Sequence, residues 1–491
     1  MAKRIVPLII NGAKILRDDP EMLIPVHSTG THQEVLHYAQ AATIDDVVAA
    51  ARGSMAAFRG WKNTAPLERR DILLAGAENL MKTRSEGIDL SVAEWSPDKG
   101  FATKMYDDAI RHIQHWASLI PTSFVARSPV SESPSTSFPL VFNEPLGPVL
   151  GIAPWNAASI LSARSFGTPL AAGCTAVFKT SEHSPATHAH MAQCMIDGGL
   201  PDGVLNVLHM RSADAQALVA ALVSTPEIAK VNFTGSTRTG RQLAITAAEN
   251  LKPILLELGG KAASIILPDA DLAKAAHMCV LGAFMNQGQI CMSTERVYVH
   301  AKVYEEFIQL VRQAAMGWPE VALPQITAEH AAHVHKLVKQ AVEHGARLVY
   351  GTLEGCGGAA ATTMDERVAR RTILADVGVH AAVYAEESFG PTMVICKVES
   401  AAEAVERTNE SRYGLSASIW TKDVVRGVLL AREIESGAVH INGMTVHDES
   451  TLPHGGVKES GYGRFGAQWG LLEFMTTKTV TIGVDQITEF K

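Results

Sequence analysis

The amino-terminal part of the chain places apolar side chains at helical intervals. Thr43, a residue type that often caps helices, is followed by two acidic residues and then by apolar residues spaced three and four apart: Val47, Val48, Ala51, Met55 and Phe58. Similar spacing extends over residues 67–81 and 106–119. We therefore predict a helix-rich scaffold here that contains no reacting group.

Beyond residue 148 the pattern changes to short apolar runs that alternate with helical stretches. Four of these runs are predicted to be buried strands, at residues 149–153, 175–179, 203–208 and 228–234. Strands that alternate with helices indicate a parallel sheet covered by helices. The chain is therefore predicted to have an α/β fold, and a nucleotide site is expected at the carboxyl ends of these strands.

The remaining segments are more varied. Residues 271–397 repeat the mixture of helices and strands, with a glycine-rich loop at residues 355–358. Residues 437–442 are predicted to form a further buried strand, and residues 453–464 a glycine-rich loop against a ligand or a neighbouring subunit. Residues 127–142 contain three prolines and five serines before a β-prone end. This segment is predicted to be a linker or an exposed arm that pairs with another subunit.

Length and charge narrow the class of protein. The chain has 491 residues, of which 47% are hydrophobic, so two or three lobes are expected. A net charge of −8 argues against nucleic acid as a partner, and no apolar run approaches the roughly 20 residues that span a membrane. The apolar stretch at the amino terminus ends at the hairpin signal Asn11-Gly12, so it is predicted to be a strand and not a signal peptide.

One of the six cysteines is a candidate for a reacting group. Six cysteines without Cys-x-x-Cys spacing indicate neither a zinc site nor a disulfide framework, and they favour reduced thiols in the cytoplasm. Cys291 follows Gly288-Gln289 and precedes a predicted strand, where a chain reversal would expose its thiol. Glu257, followed by two glycines that allow close backbone approach, is the candidate base for this nucleophile. The alternative is that Cys291 is a small buried hydrophobic residue.

Three further stretches begin where predicted strands end. Residues 233–240 join a strand to a helix, and the N–H groups at a helix start suit a phosphate. Lys179 and Glu182 follow another strand, where ribose hydroxyls would lie. Asn156, which follows Pro154-Trp155, would donate its side-chain amide to a developing oxyanion. Taken separately, these stretches are equally consistent with helix caps and a solvated loop.

Taken together, these residues resemble the aldehyde dehydrogenase superfamily, whose motifs occur in order over nearly the whole chain. The matching segments are Pro154-Trp155-Asn156, Lys179 with Ser181-Glu182, Gly199-x-Pro201-x-Gly203, residues 233–237, Glu257-Leu258-Gly259-Gly260-Lys261, Gly288-Gln289-x-Cys291, Glu386-Glu387-x-Phe389-Gly390-Pro391, Asn409 with Tyr413-Gly414-Leu415, and residues 455–464. The resemblance implies a Rossmann-type parallel-sheet cofactor domain, an α/β catalytic domain and a small β oligomerisation arm.

The resemblance also implies a mechanism. Cys291 would attack the aldehyde carbon, Asn156 and the Cys291 backbone N–H would hold the oxyanion, and a water activated by Glu257 would hydrolyse the resulting thioester. The cofactor would be NAD, because a carboxylate at Glu182 repels a 2′-phosphate. The expected cofactor contacts are Ile152, Pro154, Trp155, Lys179, Ser181, Glu182, Gly235, Ser236, Leu258, Glu387 and Phe389.

A domain division follows from the same resemblance. Residues 1–124 and 146–258 would form the NAD-binding domain, and residues 259–458 the catalytic domain. Residues 125–145 and 467–491 would form the oligomerisation arm. Because the family joins its subunits through such an arm, a homodimer or homotetramer is expected.

The substrate is indicated by two segments, residues 441–449 and 460–466. They look like the branch of the family that includes vanillin, salicylaldehyde and benzaldehyde dehydrogenases, so an aromatic aldehyde is expected. Helical spacing from Asn156 directs Arg164 towards the aldehyde tunnel, where its guanidinium would bond a ring hydroxyl or stack on the ring. The alternative for Arg164 is a salt bridge to a neighbouring helix. The other expected substrate contacts are Leu161, Ile290, Met292, His447 and His454.

Two of these histidines carry their own alternatives. His447 and His454 would bond a phenol oxygen, but a single buried histidine is more often a satisfied core residue. Many family members have phenylalanine at the position of His454. Two functional alternatives also stay open: an aliphatic or semialdehyde dehydrogenase of the same superfamily, and a catalytically idle protein with the same fold. The intact set of Cys291, Glu257 and Asn156 disfavours the idle protein.

Overall fold

A computed structural model describes most of the chain. The described residues are 4–28, 34–96, 98–124, 126–132, 137–318, 323–352 and 366–483. The glycine-rich loop predicted at residues 355–358 lies outside these ranges, and so do residues 133–136 of the predicted arm.

The amino-terminal part consists of short strands followed by four helices. These elements are β1 (Ile5–Val6), β2 (Leu8–Ile10), β3 (Ala13–Ile15), β4 (Leu23–His27), β5 (Val35–Gln40), α1 (Ile44–Trp61), α2 (Pro66–Lys82), α3 (Arg84–Glu94) and α4 (Lys99–Ser123). The predicted hairpin is confirmed, with Asn11 and Gly12 in the left-handed conformation between β2 and β3. The three predicted helices are confirmed as α1, α2 and α4, which extend beyond the predicted bounds.

The next part alternates strands and helices. Its elements are β6 (Ser137–Pro145), β7 (Val149–Ile152), α5 (Ala158–Ser162), α6 (Thr168–Ala171), β8 (Ala176–Lys179), α7 (Pro185–Ile196), β9 (Leu205–Leu208), α8 (Ser212–Ser224), β10 (Lys230–Thr234), α9 (Thr237–Glu249) and β11 (Ile254–Glu257). A short π-helical turn, Ala163–Gly167, joins α5 to α6. The four predicted strands are confirmed as β7, β8, β9 and β10.

The carboxyl-terminal half begins with a second alternating region. Its elements are β12 (Ala262–Ile266), α10 (Leu272–Phe284), β13 (Thr294–His300), α11 (Tyr304–Met316), α12 (Ala328–Glu343), β14 (Arg347–Tyr350), β15 (Thr372–Ala375), α13 (Ala382–Ala385), β16 (Thr392–Val398), α14 (Ala401–Asn409), β17 (Tyr413–Gly414), β18 (Ser416–Trp420), α15 (Val424–Glu433), β19 (Ala438–Ile441), β20 (Val457–Lys458), β21 (Gly461–Tyr462), α16 (Ala467–Glu473) and β22 (Met475–Gly483).

Two large sheets organise these elements. The first has the strand order β21-β11-β10-β7-β8-β9-β2-β3, and its strands from β11 to β9 are parallel. The second has the order β14-β15-β16-β13-β12-β18-β19, and all its strands except β14 are parallel. The prediction of an α/β fold with parallel sheets is therefore confirmed.

The strand predicted at residues 437–442 forms, as β19, but the prediction that it is buried is wrong. Each residue of β19 is half-buried. The physical reason is its position at the edge of the second sheet, where it pairs with β18 on one side only. An apolar run shows that a strand packs on one face but not that it has a neighbour on both sides.

The chain passes from the first sheet to the second within a few residues. β11 ends at Glu257 in the first sheet, and β12 begins at Ala262 in the second. The chain later returns, because β21 pairs antiparallel with β11. The segment between Glu257 and Ala262 therefore lies where both sheets meet.

The predicted arm contains a two-stranded ribbon. β6 pairs antiparallel with β22 from Ser137 to Pro145, and eight of the nine residues of β22 are exposed. α16, which precedes β22, packs against α4. Among the described residues no helix is long and apolar enough to cross a membrane.

The start of α1 gives a test of the local structure. Thr43 accepts a hydrogen bond from the Asp46 backbone N–H at 3.3 Å, and Asp46 Oδ2 accepts one from the Thr43 backbone N–H at 2.8 Å. We expect Thr43→Ala to lower the free energy of unfolding by about 1 kcal/mol, because this capping box is lost. Urea unfolding followed by circular dichroism measures the change. Thr246→Ala, in the middle of α9, is the control and should cost nothing. Equal midpoints for both variants would contradict the expectation.

Candidate active site

A tight reversal of the chain presents Cys291 at the start of β13. Asn286, Gln287 and Gly288 are consecutive residues in the left-handed conformation, with φ of 47°, 58° and 70°. Of the five described cysteines, four are buried and Cys291 alone is partly exposed. This exposure favours the nucleophile over the small buried hydrophobic residue.

The two glycines after Glu257 allow the second sheet to approach the first. A Cβ atom on Gly260 would lie 2.3 Å from the carbonyl oxygen of Cys291, and one on Gly259 would lie 2.2 Å from Glu387 Oε2. Neither position has room for a side chain without movement of its neighbour. The close backbone approach predicted at these glycines is therefore confirmed.

Cys291 and Glu257 face each other in this narrow space. Glu257 is the last residue of β11 and is 1% exposed, and its Oε1 lies 3.8 Å from Cys291 Sγ. Burial raises the pKa of the Cys291 thiol well above its usual value, and the charges of Glu257 and Glu387 raise it further. The resting sulfur is therefore a protonated thiol that donates to the Glu257 carboxylate.

Two positively polarised groups hold the Glu257 carboxylate. His454 Nε2 lies 2.9 Å from Oε1, and Arg164 Nη1 donates to Oε2 at 3.2 Å. Burial opposes ionisation of Glu257, but His454 and Arg164 together outweigh it and keep the pKa of Glu257 below the ordinary value. The sequence predicts Arg164 and His454 in the aldehyde tunnel. The structure instead places both in contact with Glu257, the candidate base.

Asp448 completes this group and was missed in the sequence. It forms an ion pair with Arg164, and its Oδ1 lies 3.8 Å from His454 Nδ1 and 3.9 Å from His112 Nε2. Burial opposes its ionisation, but the charge of Arg164 more than compensates and holds the pKa of Asp448 at about 2. No local signal identified it, because Arg164 and Asp448 are 284 positions apart.

Asn156 lies beside the cysteine turn. Its side-chain Nδ2 donates to the carbonyl oxygen of Gln289 at 3.0 Å, and Asn286 Nδ2 donates to the carbonyl oxygen of Asn156 at 3.3 Å. The first bond holds the Asn156 side chain against Gln289, which lies two residues before Cys291. The second holds the Asn156 backbone against the same turn. Since an amide nitrogen carries two hydrogens, the bond to Gln289 leaves a second hydrogen for an oxyanion.

A cavity of about 290 Å³ contains Cys291 and Glu257. Most of the predicted cofactor residues line it, together with Asn156 and two histidines that the sequence did not indicate. The residues that line it include Pro154, Trp155, Leu161, Gly235, Ser236, Leu258, His330, His333, Glu387 and Phe389. The sequence predictions for this set therefore converge on one cavity.

The walls of this cavity suit a dinucleotide. Ser236 caps α9, so the N–H groups of the first helical turn lie where a phosphate would be stabilised. Trp155 packs edge-on against Phe389, with 5.9 Å between the ring centroids, and against His330, with 6.2 Å between them. Glu387 Oε1 accepts a hydrogen bond from the Gly260 N–H at 2.9 Å. Burial and, to a smaller extent, the charge of Glu295 raise the pKa of Glu387 to about 8.

The residues predicted at the adenosine ribose lie at a second cavity of about 340 Å³. Glu182 lines it, and Lys179 Nζ lies 3.7 Å from Glu182 Oε2. Burial disfavours the charge on Glu182, but Lys179 outweighs it and lowers the pKa of the carboxyl. Ile152 and Ser181 are buried and line neither cavity.

Leu161 is the one expected substrate residue that lines the cavity of Cys291, and the three that contact neither this cavity nor Glu257 divide into two groups. Ile290 and Met292, on either side of Cys291, belong to a cluster with Trp95, Phe101, Met105, Trp155, Ala158, Met285 and Val446. His447 is instead 40% exposed at its side chain, where it forms an ion pair with Glu449 at 3.0 Å. The apolar cluster, which contains two tryptophans and three methionines, is therefore the wall next to the thiol.

Comparisons with known proteins agree with this arrangement. The model of the aldehyde dehydrogenase family matches residues 16–480. The chain is 40% identical to a vanillin dehydrogenase from Pseudomonas fluorescens, over 97% of this chain and 98% of that protein.

Solved structures give the same result. A salicylaldehyde dehydrogenase from Pseudomonas putida G7, crystallised with salicylaldehyde, superposes with a TM-score of 0.91 at 35% identity and covers 98% of this chain and 99% of that one. An NAD⁺ complex of a Bacillus cereus aldehyde dehydrogenase superposes with a TM-score of 0.90 at 28% identity, over 98% and 97% of the two chains. The chain belongs to the aldehyde dehydrogenase family.

Proposed function

We propose that the protein oxidises an aromatic aldehyde to the carboxylic acid with NAD. The observation that carries this proposal is the Cys291 thiol, 3.8 Å from the Glu257 carboxylate and flanked by residues of an apolar, aromatic-rich cluster. A nucleophile, a base and an apolar wall are thereby brought to one point. This arrangement suits covalent catalysis on a carbonyl carbon that is attached to an aromatic ring.

The first half of the reaction is assigned to Cys291 and Asn156. Cys291 Sγ bonds to the aldehyde carbon, and its proton leaves towards Glu257, the carboxylate that already accepts from the thiol. The aldehyde oxygen becomes an oxyanion, which the Asn156 amide and the Cys291 backbone N–H stabilise. NAD, when bound, supplies the acceptor for the hydride that leaves the thiohemiacetal carbon.

The second half is assigned to Glu257. After loss of the hydride, the acyl group is a thioester on Cys291. Once it has released the thiol proton to solvent, Glu257 takes a proton from a water whose oxygen bonds to the acyl carbon, and the carbon–sulfur bond then breaks with its electron pair on sulfur. The products are the carboxylic acid and the free cysteine, because the proton on Glu257 returns to the sulfur.

The residues of the two cavities support NAD as the cofactor. Ser236 at the start of α9 suits the pyrophosphate, and Glu387, held by Gly260, suits a ribose hydroxyl. Glu182 is kept ionised by Lys179 at the second cavity. A fixed negative charge there favours NAD over NADP, because it repels a 2′-phosphate.

The wall of the site and the relatives support an aromatic substrate. Two of the similar proteins are named after vanillin and salicylaldehyde, which are aromatic aldehydes. The cluster around Ile290 and Met292 offers aromatic and sulfur-containing side chains that suit contact with a ring. A semialdehyde with a carboxylate would need a cation in the tunnel. Arg164, the one candidate that the sequence offered, is paired with Glu257 and Asp448.

A homo-oligomer is part of the proposal. α15 exposes Val424, Val425, Val428 and Leu429 beside the half-buried edge strand β19. The exposed ribbon of β6 and β22 offers a second unpaired surface. We assign residues 1–124 and 146–258 to cofactor binding, residues 259–458 to catalysis, and residues 125–145 and 467–491 to the arm that joins subunits. The free thiols of the five described cysteines suit the cytoplasm.

The activity is tested by NADH absorbance after the protein is mixed with NAD and benzaldehyde. We expect turnover in the unmodified protein and a loss of more than about a thousandfold in Cys291→Ala, because the nucleophile is removed. Cys194→Ala, at a buried thiol outside the site, is the control and should keep its rate. Turnover in Cys291→Ala would contradict the covalent mechanism. A higher kcat/KM for short aliphatic aldehydes than for benzaldehyde would contradict the aromatic substrate.

Cofactor choice is tested at Glu182. We expect Glu182→Gln to reduce the preference for NAD over NADP by at least about tenfold, because the repulsion of the 2′-phosphate is lost. The ratio of kcat/KM for the two cofactors measures the change. Glu227→Gln, which removes a carboxylate bonded to Thr225, is the control. An unchanged ratio in Glu182→Gln would place the discrimination elsewhere.

A further inference from the structure

His454 is held rigidly against the base. It is 7% exposed, and its backbone N–H and carbonyl both pair with Phe465, at 2.8 Å and 2.7 Å. A carboxylate can only accept hydrogen bonds, so the 2.9 Å contact to Glu257 requires a proton on His454 Nε2. His454 therefore donates to Glu257 and fixes one of its two oxygens, while Arg164 fixes the other.

The other ring nitrogen of His454 faces a second buried carboxylate. Nδ1 lies 3.8 Å from Asp448 Oδ1, too far for a hydrogen bond but close enough for a strong charge interaction in the interior. A second proton on the ring, at Nδ1, would therefore produce an imidazolium between Asp448 and Glu257. The histidine can hold the base as a neutral donor or as a cation.

The two forms of His454 have opposite effects on catalysis. With a neutral imidazole, Glu257, Asp448 and Arg164 together carry one net negative charge, and uptake of a proton by Glu257 neutralises the group. With an imidazolium the group is already neutral, so proton uptake leaves a buried positive charge and is opposed. Glu257 is therefore the stronger base when His454 is neutral.

We propose that His454 is a positioning residue for hydrolysis: its Nε2–H orients the Glu257 carboxylate towards the thioester, and a second proton on its ring switches the base off. This inference deepens the proposed function and rests on it. It assigns His454 to the base instead of to the aldehyde. The proton that Glu257 removes from water remains on Glu257 until the acid leaves, so the step needs no other reactant.

The groups around His454 allow the effect of pH to be isolated. The charged or titratable side chains that face it are Glu257 on β11, Arg164 in the π-helical turn, Asp448 in the loop after β19, His440 on β19 and, across Asp448, His112 on α4. Burial and neighbouring histidines lower the pKa of His440 to about 4, and burial lowers the pKa of His112. Asp448 and Glu257 also ionise at lower pH than ordinary carboxyls.

The remaining titratable groups of the site act at higher pH. The pKa of Glu387 is about 8 and that of the Cys291 thiol lies well above its usual value, both raised first by burial. A loss of hydrolysis at acid pH that depends on the side chain at position 454 would therefore report the second proton on the His454 ring.

The test separates hydrolysis from hydride transfer. A single turnover of the full-length protein with NAD and benzaldehyde is followed by NADH absorbance and, after quenching, by the intact mass of the acylated protein. We expect His454→Phe to slow the decay of the acylated protein by about tenfold or more and to slow NADH formation by less, because hydrolysis also needs Glu257 to orient a water. His454→Gln, which keeps an N–H donor without a titrating charge, should restore most of the rate.

The pH profile distinguishes this role from a merely structural one. As the pH is lowered from neutral, hydrolysis should fall in the unmodified protein and in the control His277→Gln, on the surface of α10, but stay level in His454→Gln. Equal decay of the acylated protein in all variants, or the same profile in His454→Gln as in the unmodified protein, would overturn the inference alone. Absence of NADH from the unmodified protein would overturn the proposed function and this inference with it.

Discussion

The site depends on one carboxylate that is kept charged inside the protein. Glu257 is 1% exposed, and a buried charge is strongly destabilising unless it is paired. Arg164 and His454 provide that pairing, and Asp448 in turn balances Arg164. These four side chains come from a strand end, a π-helical turn and the long loop after β19. Loss of Arg164 would remove the cation that both carboxylates share, so the group fixes the relative positions of these segments.

The position of Glu257 also explains why the Cys291 sulfur is protonated at rest. Removal of the sulfur from water, and then the Glu257 carboxylate 3.8 Å away, raise the pKa of the Cys291 thiol, so Cys291 rests as a thiol and not as an oxidisable thiolate. In the proposed reaction, the sulfur bonds to the carbonyl carbon while Glu257 accepts the proton. The narrow crossing between the sheets, permitted by Gly259 and Gly260, brings the two residues within this distance.

The sequence predicted the parts of this structure that depend on local pattern. Strand and helix periodicity located the parallel strands β7 to β10 and the long amino-terminal helices, and Thr43 marked a true helix cap. Ordered motifs identified Cys291, Glu257 and Asn156, which the fold brings together. The partners of Glu257 were not predictable in this way. Asp448 and Arg164 meet across 284 positions, and the apolar run of β19 could not show that the strand lies at a sheet edge.

The most direct measurement is the intact mass of Glu257→Gln after reaction with NAD and benzaldehyde, followed by peptide mapping. Because glutamine can take a proton neither from the Cys291 thiol nor from water, NADH should form slowly and stop after about one equivalent, with a benzoyl group left on Cys291. A benzoyl group on another residue, or continued release of benzoic acid at the rate of the unmodified protein, would contradict the role assigned to the pair of Cys291 and Glu257.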